Sequence, residues 1–119
     1  MKISGPQLLL RLEGFGVLVA AGWAYHAGGF AWWKFGALFL APDLAMIGYA
    51  WGPKSGAVTY NVAHTYVAVG GLWLLGHWLG MPGALPVCLI WLAHIGFDRL
   101  LGYGLKYPGA FRDTHLGRL

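Results

Sequence analysis

Three of the four carboxylate side chains in this 119-residue chain lie inside stretches of apolar residues. They are Glu13, Asp43 and Asp98, and the histidines His64 and His94 lie in similar surroundings. A charge at the centre of a bilayer costs about 2.5–3.5 kcal/mol on the insertion scale, so each such group needs a partner, a proton or a cation. Polar groups of this kind therefore indicate a shared site inside an apolar protein.

The spacing of these residues brings several of them together. His94 and Asp98 are four residues apart and share one face of a helix, and Asn61 and His64, three residues apart, share another. A proline precedes Asp43 and would kink a helix beside its carboxylate, because proline removes a backbone donor. Imidazole and carboxylate ligands together suit zinc, manganese or iron better than calcium or magnesium.

The composition indicates which kind of fold positions these residues. The chain is 58% hydrophobic and only 10% charged, whereas soluble domains carry about a quarter of their residues as charged side chains. The net charge is +4, but the basic residues separate apolar stretches and are not concentrated on one face, which argues against a nucleic-acid partner. We therefore predict an integral membrane protein whose main partner is membrane lipid.

Four apolar stretches are each close to the ~20 residues that a helix needs to cross the hydrocarbon. They cover residues 6–25, 33–51, 56–79 and 83–103 approximately. Backbone groups cannot form hydrogen bonds to lipid, so helices are expected. The predicted fold class is all-α, a transmembrane four-helix bundle in one domain over residues 1–119. Residues 104–119 form a cytoplasmic tail that is expected to fold back on the mouth of the bundle.

Lysine and arginine favour the cytoplasmic side of a membrane and so set the expected orientation. One side would hold five basic residues and the other side one. The five are Lys2, Lys54, Lys106, Arg112 and Arg118, and the one is Lys34. Both termini are therefore predicted to face the cytoplasm.

In this orientation all four predicted helices bring a polar group to one layer of the cytoplasmic half of the membrane. At about 1.5 Å of rise per residue, these groups lie roughly 7–13 Å from the cytoplasmic ends of their helices. The layer consists of Glu13, Asp43, His64, His94 and Asp98. A bundle core lined by such side chains on facing helices is a common construction for a metal site. In the tail, Asp113 and His115 would close that site from above.

Five segments of the chain stand out as motifs: LAPDLAMIGY at 40–49, YNVAHTY at 60–66, WLAHIGFDR at 91–99, GYGLKYP at 102–108 and FRDTHLG at 111–117. Together they resemble domain-of-unknown-function family 4260, over nearly the whole chain. The resemblance implies a small four-helix protein of the bacterial inner membrane and brings no activity.

A looser likeness, in residue types alone, is to the membrane-bound metal-dependent hydrolases. Under this likeness the metal ligands would be Asp43, His64, His94 and Asp98.

The first functional hypothesis is a metal-dependent hydrolase that acts on a lipid or another membrane-delivered substrate from the cytoplasmic leaflet. A divalent metal, zinc first and manganese or iron as alternatives, would lower the pKa of bound water and so provide a nucleophile at neutral pH. Glu13 or Asp113 would serve as general base or acid. Asn61 and His115 are possible additional ligands.

Three alternatives remain open. One is a proton- or cation-coupled transporter working as a homodimer, since its size and its Glu13 are similar to the small multidrug-resistance transporters. Alternating access, however, favours a site near the midplane. Another is a haem protein with His64 and His94 as axial ligands, although nearby carboxylates suit a porphyrin poorly. The last is a structural subunit with a hydrogen-bonded polar core.

Overall fold

A computed structural model of the chain describes residues 3–109 and 112–119. Its helices are α1 (Gly5–Ala27), α2 (Trp32–Leu38), a 3₁₀ helix (Ala41–Trp51), α3 (Pro53–Ala63), α4 (Tyr66–Trp78), α5 (Ala84–Leu101) and α6 (His115–Arg118). The described residues contain no strand beyond an isolated bridge between Lys106 and Thr114, so the all-α prediction is confirmed for them. Lys2 of the predicted cytoplasmic side and Phe111 of the last motif lie outside the described residues.

By length and composition, two helices in the described part of the chain are able to cross a membrane, α1 and α5. They correspond to the first and fourth predicted spans. At the start of α1, Ser4 and Gln7 form a capping box: the Ser4 side chain accepts from the Gln7 backbone N–H, and the Gln7 side chain accepts from the Ser4 N–H. In the 18-residue apolar stretch of each helix, 17% of the residues are buried in α1 and 50% in α5. Helix α5 is therefore the more deeply packed of the two.

The second predicted span is divided in the structure. Helix α2 ends at Leu38, and the chain continues as an 11-residue 3₁₀ helix that has Pro42 in its first turn and Asp43 directly after it. Runs of 3₁₀ helix longer than three or four residues are uncommon and often mark a functional or strained segment. Gly52 ends this helix with a φ of 111°, a conformation that only glycine adopts readily.

The third predicted span is also divided, and the break lies at His64. Helix α3 ends at Ala63, the His64 backbone leaves the helical region, and the Thr65 side chain caps α4 by accepting from the Val67 N–H. Both interruptions therefore lie beside residues that the sequence assigned to the polar layer.

Helix α5 is the centre of the packing. Helices α1, α2 and α4 all contact it, while α3 packs on the 3₁₀ helix. The approach of α1 to α5 depends on two glycines: a Cβ atom at Gly14 would lie 2.7 Å from the Gly96 carbonyl oxygen, and a Cβ atom at Gly96 would lie 2.7 Å from that of Gly14. Small residues at a helix crossing allow two backbones to approach this closely.

The tail after α5 contacts the helices again. Gly102, with a φ of 94°, ends α5, and the Asn61 side chain of α3 then binds both backbone groups of Lys106. Gln7 of α1 donates to the carbonyl of Leu116 at 2.9 Å. These contacts hold the tail across the ends of α1 and α3.

Candidate metal centre

Four side chains from three separate elements converge at one point. Asp43 comes from the 3₁₀ helix, His64 from the break between α3 and α4, and His94 and Asp98 from α5. One ligand atom from each lies within 4.8 Å of the other three. His64, His94 and Asp98 are buried, whereas the Asp43 side chain is 34% exposed. The packing of broken and continuous helices thus gathers two imidazoles and two carboxylates.

Five of the six distances among the four ligand atoms are 3.0–3.3 Å, and the sixth, between the Asp43 and Asp98 oxygens, is within 4.8 Å. The Nε2 atom of His64 lies 3.0 Å from Asp43 Oδ1, 3.1 Å from His94 Nε2 and 3.3 Å from Asp98 Oδ2. The Nε2 atom of His94 lies 3.2 Å from Asp43 Oδ1 and 3.3 Å from Asp98 Oδ2. Four ligands at about 2.0–2.1 Å from one ion form a tetrahedron with edges of about 3.3–3.4 Å. The five short distances are therefore close to those between ligands of one small cation.

The hydrogen bonds of His64 orient its lone pair toward this point. Its Nδ1 atom lies 2.8 Å from the carbonyl oxygen of Tyr60, which can only accept, so the proton is on Nδ1 and Nε2 carries a lone pair in the neutral ring. The Tyr60 ring stacks on the imidazole with centroids 3.8 Å apart and fixes its plane. A metal-binding histidine typically donates its other N–H in this way.

His94 is held by packing more than by hydrogen bonding. The edge of the Phe39 ring packs against it with centroids 5.5 Å apart. Its Nδ1 atom is buried near the Phe39 backbone and has no hydrogen bond of good geometry among the described residues. The Nε2 atom of His64 and the carboxylate oxygens are acceptors, so a cation, or a proton carried by the Nε2 atom of His94, is needed among them.

The break at His64 is stabilised by two donors from α5. The indole N–H of Trp91 donates to the carbonyl of Ala63 at 2.5 Å, and the guanidinium of Arg99 donates to the carbonyl of His64 at 2.9 Å and to that of Tyr103 at 3.0 Å. Carbonyls at the end of a helix need such partners when they are buried. Arg99 is 7% exposed, so it acts from within the protein.

A cavity of about 240 Å³ adjoins the four-residue cluster. It is lined by Asp43, Met46, Tyr60, Asp98, Tyr103 and Lys106. Lys106 is 6% exposed, and its Nζ atom lies 4.8 Å from the centroid of the Tyr60 ring. The cavity therefore has both carboxylates of the cluster on its wall together with a buried lysine from the tail.

Two of the other predicted site residues, Asn61 on α3 and His115 within the tail, form hydrogen bonds to the tail backbone. Asn61 donates to the Lys106 carbonyl at 2.8 Å and accepts from the Lys106 N–H at 2.6 Å. His115 accepts at Nδ1 from the Leu105 N–H at 2.8 Å. Their hydrogen bonds hold the segment that carries Lys106 beside the cavity.

The two predicted catalytic carboxylates lie in other surroundings. Asp113 forms a two-pronged ion pair with Arg118, with N–O distances of 2.6 and 2.7 Å, and this hydrogen bonding lowers the pKa of the Asp113 carboxyl. Glu13 is exposed on α1 and lines a second cavity of about 480 Å³ together with Tyr66 and Arg99. The structure thus gathers four of the eight predicted site residues and places the other four around the tail and on α1.

Three supporting residues did not come out of the sequence argument: Tyr60, Arg99 and Lys106. Arg99 could have been identified from the sequence, because a second charge next to Asp98 in an apolar stretch also needs a buried partner. Lys106 and Tyr60 lie in the quoted motifs, but their positions beside the cluster depend on how the tail and α3 pack.

A comparison with known families gives one match. The model of the family described as domain of unknown function (DUF4260) matches residues 7–119, a range that contains all four residues of the cluster. No curated protein and no solved structure matches the chain. The match extends over far more than half of the chain and confirms the resemblance seen in the motifs. The chain therefore belongs to the DUF4260 family, whose description assigns no function.

Proposed function

We propose that this chain is a membrane protein that binds one divalent metal ion at Asp43, His64, His94 and Asp98. The observation that carries the proposal is the convergence of two imidazole nitrogens and two carboxylate oxygens, five of whose six distances are 3.0–3.3 Å. Such a donor set suits zinc, with manganese or iron as alternatives. The two carboxylates also neutralise the charge of a divalent ion, which makes burial of the ion less costly.

We further propose that the metal serves a hydrolytic reaction on a lipid or another membrane-delivered substrate. A divalent ion at this point supplies Lewis acidity, which polarises an ester or phosphoryl oxygen and lowers the pKa of water. Structural zinc sites are closed by four protein ligands, so catalysis requires a position that opens or a fifth ligand. Asp43 is the most exposed member of the cluster and lines the cavity, so it is the ligand best placed to make room for substrate.

Asp43 is also the carboxylate best placed to accept a proton in the cavity, since a general base must lie within hydrogen-bonding reach of the group it deprotonates. The roles predicted for Glu13 and Asp113 stay predictions. Asp113 is engaged by Arg118, and Glu13 lines the second cavity. Of these three carboxylates, Asp43 therefore has the strongest geometric support.

The membrane arrangement is part of the proposal. In it, α1 and α5 cross the bilayer as continuous helices, and the two divided segments cross as interrupted helices with both termini in the cytoplasm. Interrupted backbone is tolerated at membrane depth where it is enclosed by protein and binds an ion. The donors that Trp91 and Arg99 supply to the broken ends of α3 and its linker support this reading.

The haem alternative has weaker geometric support. Two axial nitrogens at about 2.0–2.1 Å from one iron would lie roughly 4.1 Å apart on opposite faces of a porphyrin. The Nε2 atoms of His64 and His94 are only 3.1 Å apart, and the carboxylates of Asp43 and Asp98 lie in the same cluster. The transporter and structural alternatives predict no tightly bound metal.

The test of metal binding is elemental analysis of the full chain purified in a mild detergent. We expect about one equivalent of zinc, manganese or iron per chain, because one site of this kind binds one ion. His64→Ala should lose most of this metal, because the variant lacks one of the four ligands. His77→Ala is the matched control, since His77 stacks on Trp73 and belongs to no such cluster in the described residues. A folded wild-type protein without bound metal, even after metal is added back, would contradict the proposal.

A further inference from the structure

We infer that the cavity beside the four-residue cluster binds a phosphate monoester group, and that this binding requires the metal. The inference rests on the proposed metal site and names the class of ligand that the site takes. It is carried by the charges around the cavity. Two carboxylates, Asp43 and Asp98, lie on its wall, and Lys106 lies on the same wall.

Two buried cations lie near this small polar region, Lys106 on the cavity wall and Arg99 bound to the backbone of His64. Lys106 is 6% exposed and Arg99 is 7% exposed, and Arg99 donates to the backbone carbonyls of His64 and Tyr103. Without a metal, the charges of the two carboxylates balance those of the two cations, apart from the exposed Glu13 in the other cavity that Arg99 lines. With a divalent ion bound, the same region carries an excess of two positive charges in a poorly solvated environment, which is costly.

An anion in the cavity removes that excess. A phosphate monoester carries close to two negative charges at neutral pH and therefore matches the excess, whereas a single carboxylate neutralises only half of it. Lysine is a common point-charge ligand for phosphate, and a divalent ion commonly binds a phosphate oxygen. Lys106 and the metal ligands on one cavity wall thus supply both contacts that such a group needs.

The geometry also makes the metal and the anion depend on each other. The anion stabilises the charged site, and the charged site attracts the anion, so each should raise the affinity of the other by the same factor. Asp43 lines the cavity and its side chain is 34% exposed, so this part of the cavity wall is reached from outside. A phosphate group on a lipid and a free phosphate share this chemistry, and the experiment distinguishes them.

The test measures binding of inorganic phosphate to the full chain in neutral detergent by calorimetry, after the metal content of each sample has been determined. We expect the metal-loaded protein to bind phosphate and the metal-stripped protein not to. Lys106→Gln should keep its metal and lose about tenfold or more in phosphate affinity, as expected when a charged hydrogen bond is removed. Lys106→Arg should restore most of the affinity, and Lys34→Gln, far along the chain on α2, is the control with unchanged affinity.

A second arm replaces inorganic phosphate by lipid nanodiscs that contain either phosphatidic acid or phosphatidylcholine. Binding that requires the metal and Lys106 and prefers phosphatidic acid identifies a lipid headgroup as the source. The same dependence with free phosphate alone identifies a soluble ligand. If the metal is bound stoichiometrically and neither probe binds, or if Lys106→Gln leaves binding unchanged, this inference is wrong while the metal site stands. If no metal binds, both fail.

Discussion

At the scale of single residues, His64 connects the backbone to the site. Its Nδ1 atom is bound to the Tyr60 carbonyl, its ring is stacked by Tyr60, and its own carbonyl is bound by Arg99. These contacts fix the tautomer, the ring plane and the position of the residue. A histidine in the middle of a regular helix would have its carbonyl engaged by the helix itself, and Arg99 would have no acceptor there.

His115 gives a residue-scale prediction on pH. Burial, with Arg99 nearby, lowers the pKa of His115, and its neutral Nδ1 accepts from the Leu105 N–H. Because the pKa in the folded protein is depressed, the stabilisation is present above the unfolded value of about 6.5 and is lost as the pH falls through the folded value. The hydrogen-exchange rate of the backbone amides in the tail, corrected for intrinsic rates, should therefore rise severalfold as the pH falls below about 6.5.

The control for this pH effect is His115→Gln, which cannot gain a proton. Its tail should exchange faster at neutral pH and show no additional rise on acidification. Equal pH profiles in the two proteins would exclude His115 as the group responsible.

At the scale of elements, the interface of α1 and α5 decides how firmly the site is held, because α5 supplies two of the four ligands. The two backbones meet at Gly14 and Gly96, where no side chain fits. The donors from α5 to the broken end of α3 then fix the third ligand relative to the first two. The continuous helix thus serves as the support for the interrupted one.

Replacing Gly14 by Ala tests this interface. The added methyl group would overlap the side chain of Arg99 and the Gly96 carbonyl, so α1 must move away from α5. Overpacking of this kind costs about 1–3 kcal/mol, and we expect a lower midpoint of thermal unfolding in detergent. Gly16→Ala on the same helix is the matched control, because a Cβ atom there meets no atom within 4 Å. A midpoint for Gly14→Ala equal to that of Gly16→Ala would contradict the close packing.

At the scale of the whole molecule, the distribution of apolar surface supports a membrane environment. Trp23 on α1, Trp33 on α2, Val67 and Trp78 on α4 expose 72%, 72%, 81% and 83% of their surface. Exposed large apolar side chains occur on every helix from α1 to α5, which is more than the scattered few that are ordinary on a soluble monomer. Within residues 3–109 and 112–119, only α1 and α5 qualify as spans by length and composition, so the path of the divided segments needs its own test.

Labelling with a membrane-impermeant maleimide tests that path. With Cys88 replaced by Ala, single cysteines at Ser4, Lys34 and Ser55 report the sides of the membrane. If the divided segments span, Ser55→Cys is labelled from the same side as Ser4→Cys, and Lys34→Cys from the opposite side, because each crossing reverses the side. Labelling of Ser55→Cys from the same side as Lys34→Cys would instead show that the second divided segment does not cross the membrane.

The sequence by itself determined the helical class and the family of this protein. Its apolar residues leave backbone groups no partner except one another, and the motifs carry the family resemblance along the whole chain. It also identified Asp43, His64, His94 and Asp98 as residues that need a partner or a cation, because each lies in an apolar stretch where an unpaired polar group is costly.

Only the tertiary structure decided how these residues meet. The break at His64 is stabilised by donors from another element, because Trp91 and Arg99 bind the carbonyls of Ala63 and His64, and local sequence gives no account of partners so far along the chain. The same holds for Lys106, whose place beside the cavity depends on the hydrogen bonds of Asn61 to the tail. Residue type sets the cost of an unpaired group, and long-range packing selects the group that pairs with it.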